Sequence, residues 1–193
     1  MKKLFLIICT LFIGLYLFGQ SVLDAEVVDL LSSAVYEVVV QKLPEDNYTY
    51  EKELPLDRIP FQIRNDKYNS IGTAFLMNDG YFYSAAHVLA LAEKSLYNEY
   101  FIRDSKGNVF SIDNIVKFAT NRDFVLFTVK DLDIKSAPKL TKAKDQEVNT
   151  TVYSVGNALG DGVVIRDGLY TSQTFEIMNG EWKWLRFSAA ASP

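Results

Sequence analysis

The chain has 193 residues, 49% of them hydrophobic and 23% charged, with 13 Phe and 11 Tyr. That balance excludes disorder as the main state and suits one large or two small globular domains. With a formal charge of −4 and no basic stripe after residue 20, it also excludes nucleic acid as the expected partner.

Lys2 and Lys3 precede a 15-residue apolar run at 4–18, the layout of a secretory signal peptide. The run is shorter than the roughly 17–25 residues of a spanning helix, so residues 1–20 are read as a removed signal peptide and the protein as secreted or periplasmic. No small-x-small cleavage site follows, and an uncleaved membrane anchor stays open as the alternative. The single cysteine, Cys9, lies inside the run. Removal leaves a cysteine-free domain of about 170 residues that closes by core packing without disulfides, and losing the two lysines takes the charge from −4 to −6.

Leu23, Val27, Leu30 and Leu31 follow helical spacing, and residues 34–40 turn Val-rich, which predicts a short helix running into a strand. Residues 43–60 carry three prolines and many acidic side chains, the composition of an irregular surface arm. Short runs of Val, Ile, Phe and Tyr follow, cut by Asn78-Asp79-Gly80, Ser105-Lys106-Gly107-Asn108, Asp161-Gly162 and Asn179-Gly180. They predict strands at 70–77, 81–84, 99–103, 109–118, 124–129, 151–155, 163–174 and 182–188. Such even spacing points to an all-β barrel or sandwich. A polar stretch at 130–147, rich in Lys and Asp, reads as the linker between two groups of strands.

His87 is the only histidine and stands in Ser84-Ala85-Ala86-His87-Val88, just after a hairpin. A lone histidine is ordinarily a surface or satisfied core residue. Here two alanines let the strand end pack closely while the imidazole projects outward, where it can act as a general base. Asp123 opens the apolar strand Asp123-Phe124-Val125-Leu126. It is a turn former on one reading; on the other it is a buried carboxylate that accepts an imidazole N–H and fixes the tautomer for acyl transfer. Residue type alone leaves both open. The glycines at 156, 160 and 162 lack the Gly-Lys-Ser/Thr ending and the following helix of a phosphate loop. One histidine and no remaining cysteine predict no metal site. Asn47-Tyr48-Thr49 and Asn149-Thr150-Thr151 match the glycosylation triplet, which matters only in a eukaryotic source.

Taken in order, Gly72-Thr73-Ala74-Phe75, Ser84-Ala85-Ala86-His87-Val88, Asp123-Phe124-Val125-Leu126 and Tyr153-Ser154-Val155-Gly156-Asn157 resemble the trypsin/chymotrypsin-like serine peptidases, in their bacterial secreted branch, over residues 70–193. The resemblance implies an all-β, double β-barrel fold whose second barrel is incomplete in this chain. Residues 61–135 would form the first barrel, carrying His87 as general base and Asp123 as its orienting partner, and 136–193 part of the second. Residues 21–60 would stand before them as a helix, a strand and the arm.

The family's nucleophile sits in a Gly-Asn-Ser-Gly-Gly-Pro or Gly-Asp-Ser-Gly-Gly-Pro turn, and the resemblance puts that serine just beyond Pro193. Ser84 belongs to the histidine motif, and Ser188 and Ser192 lack the flanking glycines that build an oxyanion hole. Spacing from the expected nucleophile implies Ala190 at the primary specificity position, with a preference for small or apolar side chains. The expectation is a secreted serine endopeptidase of peptide substrates that needs no cofactor, with residues 1–193 alone inactive and their open second barrel exposing Leu185 and Phe187. Two other readings stay open: a non-catalytic pseudoprotease or gene fragment that at most binds peptides, and a membrane-tethered interaction module if 4–18 is uncleaved.

Overall fold

The computed structural model describes residues 23–42, 58, 65–92, 94–95, 97–157, 163–176 and 182–191. The signal segment, the arm at 43–60 apart from Arg58, the turns at Asp161-Gly162 and Asn179-Gly180, and Ser192 lie outside the described residues. The chain runs as α1 (Ala25–Ala34), β1 (Val35–Gln41), β2 (Tyr68–Leu76), β3 (Phe82–Ser84), β4 (Phe101–Arg103), β5 (Val109–Ala119), β6 (Phe124–Val129), β7 (Thr151–Asn157), β8 (Val163–Phe175) and β9 (Lys183–Phe187). Each strand predicted between residues 70 and 188 is present.

Asp24 caps α1: its side chain accepts the Glu26 N–H, and its carbonyl accepts from Val27 and Val28, satisfying the free donors of the first turn. Val27 and Leu30 stay exposed, so the helix is held less by its apolar stripe than by the strand it feeds. Six strands close a barrel in the order β1-β2-β3-β6-β5-β4, all pairs antiparallel. Closure is β1 on β4, with Val38 opposite Ile102. This corrects the sequence reading, which left the 34–40 strand outside the first barrel. Val38, Val39 and Val40 are fully buried, and without β1 both β2 and β4 would present open edges.

Alternate residues of β3 and β6 face inward, while β1 is irregular between Val38 and Val39 and buried at both. Val38, Leu76, Phe82, Ile102, Val125 and Phe127 make a core with no solvent exposure. Phe82 stacks on Phe127 with ring centroids 5.6 Å apart and meets Tyr36 edge-on at 5.1 Å, both favourable aromatic geometries. The two of the four turn signals that fall among the described residues hold. Gly80 and Gly107 each take φ of 86°, with Asp79 accepting the Tyr81 N–H and Asp104 accepting those of Lys106 and Asn108.

A second correction concerns the boundary at 135. Leu132, Ile134 and Ala137 pack on the barrel core, and Leu140 exchanges backbone hydrogen bonds with Leu76 and Asn78, so the barrel unit runs through Leu140. Beyond it, β7-β8-β9 form a three-stranded antiparallel sheet. Its outer strand is uncovered: Leu185 is 62% and Phe187 51% exposed.

Candidate active site

The turn after β3 is built from small residues. Ser84 is buried and donates its hydroxyl to the Thr73 carbonyl at 2.7 Å. Ala86, also buried, starts a 3₁₀ turn (Ala86–Leu89) that ends on Ala90 in the left-handed conformation. His87 occupies that turn with its side chain 74% exposed, the outward projection expected from two alanines before it. Val88 lies directly over Gly72 of β2. A Cβ on Gly72 would meet both Val88 γ-carbons at 2.7 Å, so the strand admits the turn only because it carries glycine there.

Asp123 arrives from the neighbouring strand, at the start of β6, which pairs with β3 through Ser84 opposite Val125. A 3₁₀ turn (Thr120–Arg122) ends on Asp123 at φ 52°, ψ 49°, a left-handed geometry that Asp tolerates better than most residues. Its carboxylate meets the His87 turn twice: Oδ1 accepts the His87 backbone N–H at 2.9 Å, and Oδ2 lies 2.6 Å from His87 Nδ1. Burial acts to raise the Asp123 pKa, but the His87 amide, the His87 ring and the Ala86 amide outweigh it and hold the carboxyl below the usual carboxylate range. An ionised Asp123 accepts a hydrogen bond from Nδ1–H, which fixes the tautomer that leaves the Nε2 lone pair free. The carboxylate is 49% exposed, not buried as one of the two sequence readings of Asp123 required.

His87 and Val88 line one cleft of about 540 Å³ together with Thr73 of β2, Gly156 of β7, Arg166 of β8 and Ala190. The cleft lies between the barrel and the second sheet. A polar seam joins the two: the Asn157 N–H donates to Thr73 Oγ1 at 2.9 Å, its amide donates to Ser70 Oγ at 2.8 Å, and a Cβ on Gly156 would sit 3.2 Å from Thr73 Oγ1. Asn157 is buried and satisfied by these partners.

No protein-family model and no curated protein sequence matches the chain. Solved structures do. The HtrA-type protease AlgW with a decapeptide superposes at a TM-score of 0.65 and 19% identity, covering 88% of this chain and 52% of that one. An AlgW variant with a tripeptide gives 0.60 and 17%, covering 88% and 47%. The same variant with a decapeptide gives 0.60 and 19%, covering 86% and 51%. The chain has the trypsin-like protease fold. It spans about half the length of the solved chains it matches.

Within that fold, His87 and Asp123 both stand on the first barrel and meet across 36 residues of sequence. Ala190 lines the same cleft, and its carbonyl accepts the Ser154 hydroxyl at 2.7 Å. Gly168 lets the 188–190 segment cross β8 closely, since a Cβ there would fall 2.0 Å from the Ala189 nitrogen. Ser84 and Ser188 are structural. The Ser188 hydroxyl accepts the Leu169 N–H at 2.9 Å, and no serine among the described residues bonds to His87. The sequence reading missed Arg166, which brings a permanent cation to the cleft, and Arg122, which borders Asp123. The available signal for Arg166 was a guanidinium directly after the apolar run Val163-Val164-Ile165 that opens β8.

Proposed function

We propose that this chain is the His- and Asp-bearing part of an exported serine endopeptidase that acts through an acyl-enzyme. The observation that carries the reading is the double hold of Asp123 on His87, 2.6 Å at the ring and 2.9 Å at the backbone, at the edge of a cleft between two β units. Support comes also from the solved neighbours, which share the fold and were determined with peptides.

In the proposed reaction His87 Nε2 takes the hydroxyl proton of a serine supplied just beyond Pro193. The serine oxygen bonds to the scissile carbonyl carbon, and the C–N bond breaks as the imidazolium gives its proton to the leaving amine. Water, deprotonated by the same ring, then hydrolyses the ester. Asp123 keeps Nδ1 protonated and stabilises the transient imidazolium. Ala190 forms part of the specificity pocket and favours small or apolar side chains. Residues 1–193 alone are expected to give no acyl-enzyme: among the described residues Ser84 and Ser188 are engaged with backbone groups and no serine is bonded to the imidazole.

The test uses the reading frame extended past Pro193, the 1–193 polypeptide, and a fluorophosphonate probe with a peptide-cleavage assay. The expected result is labelling and cleavage by the extended protein only, both lost in His87→Ala and cut by about 10⁴-fold in Asp123→Asn. Labelling that persists in His87→Ala, or cleavage by 1–193 that His87→Ala abolishes, would overturn the reading. Tight peptide binding by an extended protein that neither labels nor cleaves would assign it to the non-catalytic class.

A further inference from the structure

Arg122 is the last residue of the 3₁₀ turn whose next residue is Asp123. Nη1 donates to Glu176 Oε2 at 3.0 Å, and Cζ lies 3.9 Å from the ring centroid of Trp182. Both partners belong to the β8–β9 ribbon: Glu176 follows β8, Trp182 precedes β9, and the Glu176 N–H donates to the Trp182 carbonyl at 2.9 Å. The backbone ladder therefore fixes the spacing of carboxylate and indole. The ion-paired side chains are only 24% and 18% exposed. A planar guanidinium can satisfy a carboxylate at its edge and an aromatic ring at its face at once, which an ammonium cannot.

A non-glycine residue at φ 52° occupies a small allowed basin, and the bonds to His87 require the Asp123 carboxylate to leave that backbone in one direction. β6 holds Asp123 on its C-terminal side, and on the other side the turn ends in Arg122. We propose that Arg122 is a positioning residue for the Asp123–His87 pair: clamped by Glu176 and Trp182, it fixes the turn that presents the carboxylate and makes the state of the β8–β9 ribbon felt at the imidazole. Arg122 acts through the backbone of Asp123 and touches neither the ring nor a substrate. The consequence for catalysis rests on the peptidase reading; the consequence for the imidazole does not.

The test reads the imidazole directly by ¹⁵N NMR of the full-length protein, at a pH where the ring is neutral, with His87→Gln to assign the signals. A proton held on Nδ1 by Asp123 separates the two ring nitrogens widely in shift, and Asp123→Ala, which leaves no side-chain partner for Nδ1, supplies the released reference. The expected result is that Arg122→Ala and the ribbon double variant Glu176→Gln with Trp182→Leu each move the separation most of the way to that reference, with Arg122→Lys falling between. An unchanged separation in Arg122→Ala would overturn the proposal. So would a change that the double variant does not reproduce, since the ribbon would then have no part. If Arg122→Ala fails to fold, the double variant decides alone. Failure of the peptidase reading is distinguishable, because it removes turnover in the parent while leaving these shifts as they are.

Discussion

Gly72→Ala tests whether the histidine turn is held by shape. Gly72 sits inside β2 opposite Val38, and its φ is not in the left-handed region. At such a position Gly→Ala ordinarily stabilises by about 0.4–1 kcal/mol, because the unfolded chain loses freedom. Here the new Cβ would lie 2.7 Å from both Val88 γ-carbons and 3.3 Å from its Cβ. Valine is stiff at χ1, so the two methyls cannot both swing clear. Restoring ordinary contact at about 3.5–4.0 Å requires the turn to move by roughly 1 Å. Overpacking of this kind costs about 1–3 kcal/mol, which reverses the sign of the usual substitution and leaves a net loss of about 1–2 kcal/mol. Because His87 is the next residue along, a shift of that size should also cost about 10²-fold in any reaction the imidazole performs. Urea unfolding of Gly72→Ala, Val88→Ala and the double variant gives the measurement. The loss at position 72 should vanish when Val88 is alanine, a coupling of about 1–3 kcal/mol. A Gly72→Ala protein as stable as the parent, or the same cost in both backgrounds, refutes the reasoning.

Phe127→Ala opens the barrel core beside Phe82 and should destabilise by about 3–5 kcal/mol, read as a lower urea midpoint at unchanged slope. Gly168→Ala places a Cβ 2.0 Å from the Ala189 nitrogen. Backbone cannot yield there, so the 183–191 segment should lose its pairing and become the first site of limited proteolysis while the barrel survives. Asp66 and Asp123 both have pKa values lowered from 3.8. At Asp66 burial opposes the shift, and the Arg103 hydrogen bond and the Tyr68 amide outweigh it. The unfolded chain therefore binds more protons at acid pH, so their stabilisation is complete above the unfolded value near 3.8 and is lost as pH falls through the lowered folded values. Asp66→Asn and Asp123→Asn should flatten the acid limb of the stability curve below about pH 4. An acid limb unchanged in both would remove the assigned role.

The strands were legible because their chemistry is local. β6 has the predicted bounds, since Val125 and Phe127 alternate with less buried neighbours between two turn signals. β2 begins two residues early at Tyr68, whose N–H the Asp66 side chain accepts while Arg103 Nη1 reaches Asp66 from β4 at 2.5 Å. No local pattern announces that capture. The place of β1 in the barrel was illegible for the same reason: Glu37 pairs with Arg103, 66 residues away. His87 and Asp123 were singled out by context, but their meeting depended on resemblance, because strand order and not periodicity brings them together. The exposure of Asp123 was missed because a single carboxylate at a strand mouth says nothing about what covers it. Arg122, Glu176 and Trp182 were invisible as a group, being spread over a turn and two ends of a ribbon.

The two requirements of an Asp–His pair, geometry and field, are met by different parts of the molecule. The first barrel supplies the geometry: Gly72 admits the turn, Ala86 anchors it, and Asp123 grips backbone and ring together. Field strength depends on excluding water, since the same pair of charges interacts several-fold more strongly at the effective dielectric of a partly buried site than in bulk solvent. With the ring 74% and the carboxylate 49% exposed, the pair is arranged before it is strong. Whatever occupies the cleft, a peptide or further chain, gains by covering it, and that gain is greater for the charged imidazolium than for the neutral ring. On the peptidase reading, a barrel that fixes the pair and an occupant that covers the cleft together confine the strong field to the occupied state, where an imidazolium has to be stabilised.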